Sequence, residues 1–451
     1  MAQYSTEQSQ SLATKPIGRL LWEFAAPSII AMSAASIYNI CDSILIGRHS
    51  GDLAIAGMAI TFPLMNILTA FCVIASVGGA ALASIHMGRQ QAVEARRNLG
   101  NVLFLNVIFG LVLGVAGLCF VDPILTAFGA SSQTLPYARQ YMTVIFTGVI
   151  IMHLQQSLLG QLRATGFPRA AMRAQLMAVA LNVVLDVVFI FGFDWGIRGA
   201  AIATVLAQLL ALLSVLPRFV AGHGGYLTLT RDVLHIRLSY IREIMSIGIA
   251  PFLSTLSGFI IVLAINRSLA HYGGDLYVGA YGICNRITQL IIMMVSGFSQ
   301  GLQPIVGYNL GAGRPDRVRA ALRQAIVIAT VIMTTGYALI ALFPQALSGL
   351  FTSSGDMVEA CVPALRISLV TFPVVASQLI AVSFFQSIHK ARLSVLITLT
   401  RQLLVLLPLL LWLPGQMGVD GVWWSMALAD CYSVVLSWLL LWRVRINDHI
   451  L

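Results

Sequence analysis

Charge is the scarcest commodity in this chain. Of its 451 residues only 10% are charged, and 17 in all are Asp or Glu. A soluble domain carries about 25% charged residues. So few charges cannot cover a globular surface in water, which excludes an ordinary soluble protein. The familiar sites are missing too. None of the six cysteines (Cys41, Cys72, Cys119, Cys284, Cys361, Cys431) forms a C-x-x-C pair, and no two are close in sequence. That argues against a zinc site or a disulfide framework. The eight histidines are scattered, with no H-x-x-x-H pair. The glycine-rich stretch Gly307 to Gly313 lacks the Lys-Ser/Thr of a phosphate loop. No His-Asp pair within an apolar segment and no D-x-D motif supports a membrane-embedded transferase. Met1 to Lys15 is polar and is followed by no short apolar core with a cleavage site, so no removable signal peptide is expected.

What the chain has is hydrophobic residues, 58% of the total, and a mean hydropathy of +0.87. A membrane span needs about 20 mainly apolar residues. Twelve segments qualify: Ile17–Gly47, Ala54–His86, Val102–Val121, Thr134–Gly160, Ala170–Phe193, Ile197–Leu216, Met245–Leu269, Val278–Tyr308, Ala320–Phe343, Met357–Phe385, Leu393–Leu413 and Val419–Trp442. The expected fold is all-α and integral to the membrane. Several segments exceed one bilayer thickness and must tilt, bend or protrude.

The basic residues divide unevenly. The termini and the loops after even-numbered spans collect 21 of the 27 Lys and Arg, among them Lys15, Arg89, Arg96, Arg97, Arg163, Arg314, Arg317, Arg401 and Arg443. The remaining six (Arg48, Arg139, Arg198, Arg267, Arg286, Arg366) lie on the other side. By the positive-inside rule both termini are cytoplasmic, which requires an even number of spans. The same rule accounts for the net charge of +10 without a nucleic-acid partner.

The chain also repeats itself at an offset near 223. Pro27 in span one is followed fifteen residues on by Asp42, and Pro251 in span seven fifteen residues on by Asn266. Residues 49–53 (HSGDL) are answered by 271–276 (HYGGDL), and Gly196-x-x-Gly199 by Gly418-x-x-Gly421. The expected organisation is an N-terminal six-helix lobe (1–222), a cytoplasmic linker (223–242) and a C-terminal six-helix lobe (243–451). Six spans is an even number, so the halves share one orientation. Parallel repeats of this kind occur in secondary transporters, with substrate handled between the halves.

An ionisable group at the bilayer centre costs at least ~2.5–3.5 kcal/mol on insertion scales and is a functional candidate by default. Asp42, Asp186 and Asp430 lie deep in spans. Asn182 and Asp186 are i and i+4 and share a helix face, and Thr204 in the next span is placed to face them. Two carboxylates, an amide oxygen and a hydroxyl suit Na⁺, or a proton held between the acids. The competing reading is that each acid makes only interhelical hydrogen bonds. Pro27 and Pro251 remove helical hydrogen bonds and are expected to bend their spans. Asn266, Asn285, Gln289 and Gln378 make the second half polar but poor in carboxylates; each lines a cavity or bridges helices. Tyr38 and Tyr141 offer apolar surface for a substrate, beside Asn39, or simply pack the core.

These residues resemble the multidrug and toxic compound extrusion (MATE) family, over essentially the whole chain. The points of likeness are Pro27 and Asp42, Asn182-x-x-x-Asp186, Gly199-Ala200-Ala201-x-Ala203-Thr204, Gln303-Pro304-x-x-Gly307-Tyr308-Asn309-x-Gly311-Ala312-Gly313, and Gly421-Val422-Trp423. The resemblance implies two six-helix bundles around a V-shaped cavity. It implies a bacterial inner-membrane antiporter without a cofactor that exports cationic or amphipathic compounds in exchange for Na⁺ or H⁺, working as a monomer among membrane lipid. Asp42, Asn182, Asp186 and Thr204 match the coupling residues of the DinF-like branch, and Pro27 the proline where span one bends. The acids of the NorM-like branch in spans seven and ten have no match here. The span-four asparagine has none either; Gln155 and Gln156 are the nearest polar residues. The alternative within the same superfamily is a flippase for lipid-linked intermediates.

Overall fold

The computed structural model describes the backbone of residues 11–220, 227–352 and 354–448. The side chains at 37–40, 43, 44, 52 and 445–448 lie outside the described residues, and with them the expectations for Tyr38 and Asn39. Among the described residues there is no strand. The principal helices are α1 (Ile17–Ser50), α2 (Asp52–Gly88), α3 (Ala92–Cys119), α4 (Leu135–Ala164), α5 (Pro168–Asp186), α6 (Gly196–Val220), α7 (Leu238–Gly311), α8 (Pro315–Leu342), α9 (Gly355–Ser368), α10 (Phe372–Ser387), α11 (Ala391–Leu399) and α12 (Val419–Asp448).

Apolar runs set these helices, because in lipid every backbone N–H and C=O must be paired within the segment. Proline at the first turn starts α4, α5, α8 and α10, where its missing N–H costs nothing. α7 is 74 residues long and contains one non-helical residue, Gly274, at φ 71° and ψ −171°. That conformation is tolerated only by glycine. At 1.5 Å per residue α7 runs for ~110 Å, far more than the ~30 Å hydrocarbon layer, so its two arms are separate traverses. By length and composition nine described helices are apolar enough to cross a membrane, or ten with α9 and α10 taken as one span bent by 60°. α7 enters that figure once.

The repeat is written in the backbone. Left-handed residues pair at the sequence offset: Gly51 with Gly274, Gln90 with Gly313, Gly166 with His389, and Gly196 with Gly418. The first three pairs are 223 residues apart and the last 222. Where one repeat uses glycine, the other holds Gln90 or His389 in the same left-handed turn.

The chain divides into two compact units, residues 1–15 with 30–252 and residues 16–29 with 253–451. The expected boundaries put both cuts in one loop. The structural division instead assigns the first part of α1 to the second unit and the first part of α7 to the first. Pro27 and Pro251 lie within two residues of the two crossing points, and α1 stays helical through Pro27.

In the first unit, one apolar cluster joins Ile46, Met58, Tyr141, Met142, Ile145 and Ile197. Tyr141 is 4% exposed and belongs to this packing. α6 buries a row of small residues, Ala200, Ala203, Ala207 and Ala211, which lets neighbouring backbones approach closely. The inter-lobe segment is docked from Leu227 onward. Leu227 is fully buried with Leu99 and Phe219, Arg96 Nε donates to Asp232 (2.8 Å), and the Asn101 side chain bonds both His235 O (3.2 Å) and Arg237 N (3.0 Å). Residues 221–226 lie outside the described set.

Candidate functional site

α5 carries the centre of the site. Asn182 and Asp186 project from one face of its last turn, about 21–27 Å along the helix from Pro168. Immediately after Asp186 the helix widens into a π segment, Val187–Gly192. Such segments are infrequent and gather at functional sites. α6 returns after a short turn at Gly196 and presents Thr204, and α1 presents Asp42. All four side chains are buried: Asp42 is 2% exposed, Asn182 3%, Asp186 0% and Thr204 3%.

Their hydrogen bonds are few. Asn182 Nδ2 donates to Thr204 Oγ1 (3.3 Å), and Thr204 donates to the Ala200 carbonyl (3.0 Å). Both Asp186 carboxylate oxygens, Asp42 Oδ1 and Asn182 Oδ1 have no hydrogen-bond partner among the described residues. Asp42 lies close enough to act electrostatically on Asp186. The orphaned atoms are all oxygens and all acceptors. A buried group of this kind is costly unless it is satisfied. Two carboxylates close enough to act on one another favour a positive charge between them, a proton or a monovalent cation, over neutral donors alone. The competing reading, acids engaged in interhelical hydrogen bonds, does not describe Asp186. Among the described residues no group of three or more His, Cys, Asp or Glu comes together.

The other predicted positions fall apart from this cluster. Gln155 is buried and its Nε2 is 3.4 Å from Gln175 Oε1 on α5. In the second unit Asn285 and Gln289 are exposed, Asn266 is partly exposed, and Gln378 is buried on α10 with Oε1 unpartnered.

One assignment is corrected. Arg401, counted above with the loop arginines, lies inside span eleven, in a second π segment, Thr400–Leu406. Its Nε and Nη2 both bond Asp430 Oδ1 (2.7 and 2.5 Å), while Thr371, at the break between α9 and α10, donates to Asp430 Oδ2 (3.2 Å). Asp430, itself buried, is thus neutralised by a partly exposed arginine. The signal was available: ten residues separate Arg401 from the start of α11, too deep for a loop.

A helical membrane protein built as a twofold repeat, with an acceptor-only acid cluster in one half, has the form of a secondary transporter. The MatE family model matches residues 27–188 and 247–412, and the chain belongs to that family. It is 26% identical over 440 residues to the multidrug export protein MepA of Staphylococcus aureus, covering 97% of this chain and 96% of that one. The MepA of Staphylococcus haemolyticus is 25% identical, covering 95% and 94%. Among solved structures, a MATE protein in a bent conformation superposes with a TM-score of 0.92 at 24% identity over 98% of this chain and 97% of that one. A MOP superfamily transporter from Pyrococcus furiosus superposes with a TM-score of 0.90 at 24% identity, over 97% of each chain.

Proposed function

We propose that this protein is a secondary antiporter that exports cationic or amphipathic compounds across a bacterial inner membrane in exchange for Na⁺ or H⁺. Its membership of the MatE family and its likeness to multidrug export proteins support the export half of this reading. The observation that carries the coupling half is the buried set Asp42, Asn182, Asp186 and Thr204, in which every unsatisfied atom is an acceptor. A coupling cation or proton bound there and an exported substrate would favour different conformations, and exchange follows from that difference in affinity. The excess of Lys and Arg on one side supports cytoplasmic termini.

The test is ethidium efflux from cells lacking their own pumps, at matched expression, with and without Na⁺ and over a range of external pH. The expected result is gradient-dependent efflux by the wild type and none by Asp42→Asn or Asp186→Asn. Gradient-driven efflux indifferent to both substitutions would refute the site.

A second reading has one observation in its favour. Arg267, Arg286 and Arg366 in the second unit are exposed and have no ion pair among the described residues. Such guanidinium groups suit an anionic headgroup, and a chain that effluxes none of a broad panel of dyes would be read as a flippase for lipid-linked intermediates.

A further inference from the structure

The first unit holds a second set of unsatisfied polar groups, different in chemistry from the acids. On α4, His153, Ser157 and Gln161 recur at i, i+4 and i+8 and share one face. On α3, Asn98 and Asn106 stand eight residues apart, again on one face. All five side chains are at most 3% exposed. Six of their atoms have no hydrogen-bond partner among the described residues: Asn98 Oδ1, Asn106 Oδ1, His153 Nδ1, Ser157 Oγ and both amide atoms of Gln161.

The contacts arrange them in three layers. In the first, His153 Nε2 is 3.0 Å from the Leu68 carbonyl and the ring lies near the Asn106 backbone. In the second, the Ser157 and Ser76 hydroxyls face the Cys72 thiol, which also reaches the His153 carbonyl at 3.7 Å. In the third, Asn98 Nδ2 donates to the Gly79 carbonyl (2.8 Å), and a Cβ on Gly79 would sit 2.8 Å from Gln161 Nε2. Gln161 is three residues from the end of α4 and two before Arg163, while Arg89 follows the end of α2 and Arg97 lies near the start of α3. His153 is about 12 Å further in than Gln161.

The chemistry of the set selects its occupant. Asn98 Oδ1, Asn106 Oδ1 and Gln161 Oε1 accept; Gln161 Nε2 donates; the Ser157 hydroxyl does both. A cation cannot satisfy the amide N–H. Water, which donates twice and accepts twice, satisfies all of them, and buried water typically makes about three such bonds. Spacing agrees: a step of four residues along α4 is about 6 Å, close to two hydrogen bonds of about 2.8 Å in series.

We infer that α2, α3 and α4 enclose a file of bound water running from Gln161 to His153, and that this file relays protons between the arginine-rich end of the first unit and its middle. The waters, the Ser157 hydroxyl and the His153 imidazole can each take a proton on one side and release one on the other, while the Asn98, Asn106 and Gln161 amides hold the waters in line by hydrogen bonds. The relay role rests on the antiport reading above; the water file does not.

The test uses the full-length protein in lipid nanodiscs and proteoliposomes. Radiolytic hydroxyl footprinting labels side chains beside bound water. Cys72 and His153 are expected to label within milliseconds while Met142, equally buried in an apolar cluster, stays protected. Gln161→Leu is expected to lower His153 labelling several-fold, and to slow proton-driven ethidium exchange at least tenfold with ethidium binding unchanged. If Gln161→Leu does not fold, Ser157→Ala is expected to give the same two effects. Cys72 and His153 protected like Met142 would overturn the file, whatever the transport assay shows. Labelling as expected with exchange unaltered in both variants would overturn the relay. Wild-type protein that labels as expected but exchanges dye against Na⁺ alone would overturn the relay, and one that exchanges dye against neither Na⁺ nor protons would count against the antiport reading as well, while the file stands.

Discussion

Asp430 shows how one acid differs from another in the same bilayer. Its carboxylate is held by two donors of Arg401 and by Thr371, whereas Asp186 has no donor among the described residues. An isolated intramembrane acid in the sequence does not reveal which kind it is, because the partner lies 29 residues away on another helix. Removing Arg401 strands a buried carboxylate, for which the cost runs up to ~3–5 kcal/mol, whereas removing Asp430 leaves an arginine that is partly exposed and costs less; replacing both by apolar residues is often neutral. Asp430→Leu and Arg401→Leu are each expected to lower the melting temperature of the full-length protein in detergent. The double variant is expected to recover most of the loss. A double variant as unstable as the sum of the singles would show that the two residues act separately. Ethidium efflux by the double variant is expected to stay gradient-dependent, because the cluster proposed for coupling lies in the other unit.

The elements were legible to different degrees, and for physical reasons. Long helices follow from the rule that lipid permits no unpaired backbone, so their approximate ends can be read from apolar runs and prolines. The π segments cannot: Val187–Gly192 and Thr400–Leu406 carry no distinguishing composition. They start 213 residues apart (400 − 187), ten short of the repeat offset, so the repeat does not predict one from the other either. The polar row His153, Ser157, Gln161 was visible as a spacing, but residues of these types so often bridge helices that the spacing alone does not separate glue from a water path. The inter-lobe segment was legible as polar and glycine-rich, and its docking was not. A Cβ at Gly100 would stand 1.9 Å from the Val233 carbonyl. Gly100→Ala is therefore expected to lift residues 229–237 off α3 and expose Arg231 to trypsin at least several-fold faster than in the wild type, with the helices intact by circular dichroism. Equal cleavage rates would show that the segment is not held there. The same contact gives a pH expectation. The hydrogen bond from Arg96 holds the Asp232 carboxyl below its ordinary range. A lowered carboxylate pKa contributes its stabilisation above the unfolded value, about 3.9, and loses it only as pH falls through the lowered value. Cleavage at Arg231 is expected to be flat from about pH 5 to 9 once corrected for trypsin's own profile.

At the scale of the whole molecule, two regularities coincide and one is broken. The left-handed turns repeat at 223 residues, so the two halves share a backbone plan, and the basic residues fall on the side of the even-numbered loops in both halves. The chemistry does not repeat: the acceptor-only cluster belongs to the first unit and the neutralised pair to the second. The parallel reading of the repeat requires that both halves keep the same orientation. Moving Arg401 into span eleven leaves 20 of the 27 basic residues on the even side (21 − 1) against the same six, so the asymmetry survives the correction. Orientation is set by Lys and Arg in short loops near span ends, and the loops at 89–91, 165–167 and 312–314 are three residues each. Fusions of green fluorescent protein to either terminus are accordingly expected to fluoresce. Alkaline phosphatase inserted after Gly51 or Gly274 is expected to be active, and inserted at Gln90 or Gly313 inactive. Replacing Arg89, Arg96 and Arg97 together by Gln would remove three charges from one even loop. The bias at the remaining even loops is large enough that the phosphatase pattern of the second half is expected to hold. Activity at Gly313 in the unaltered chain would reverse the second half relative to the first, and with it the parallel reading of the repeat.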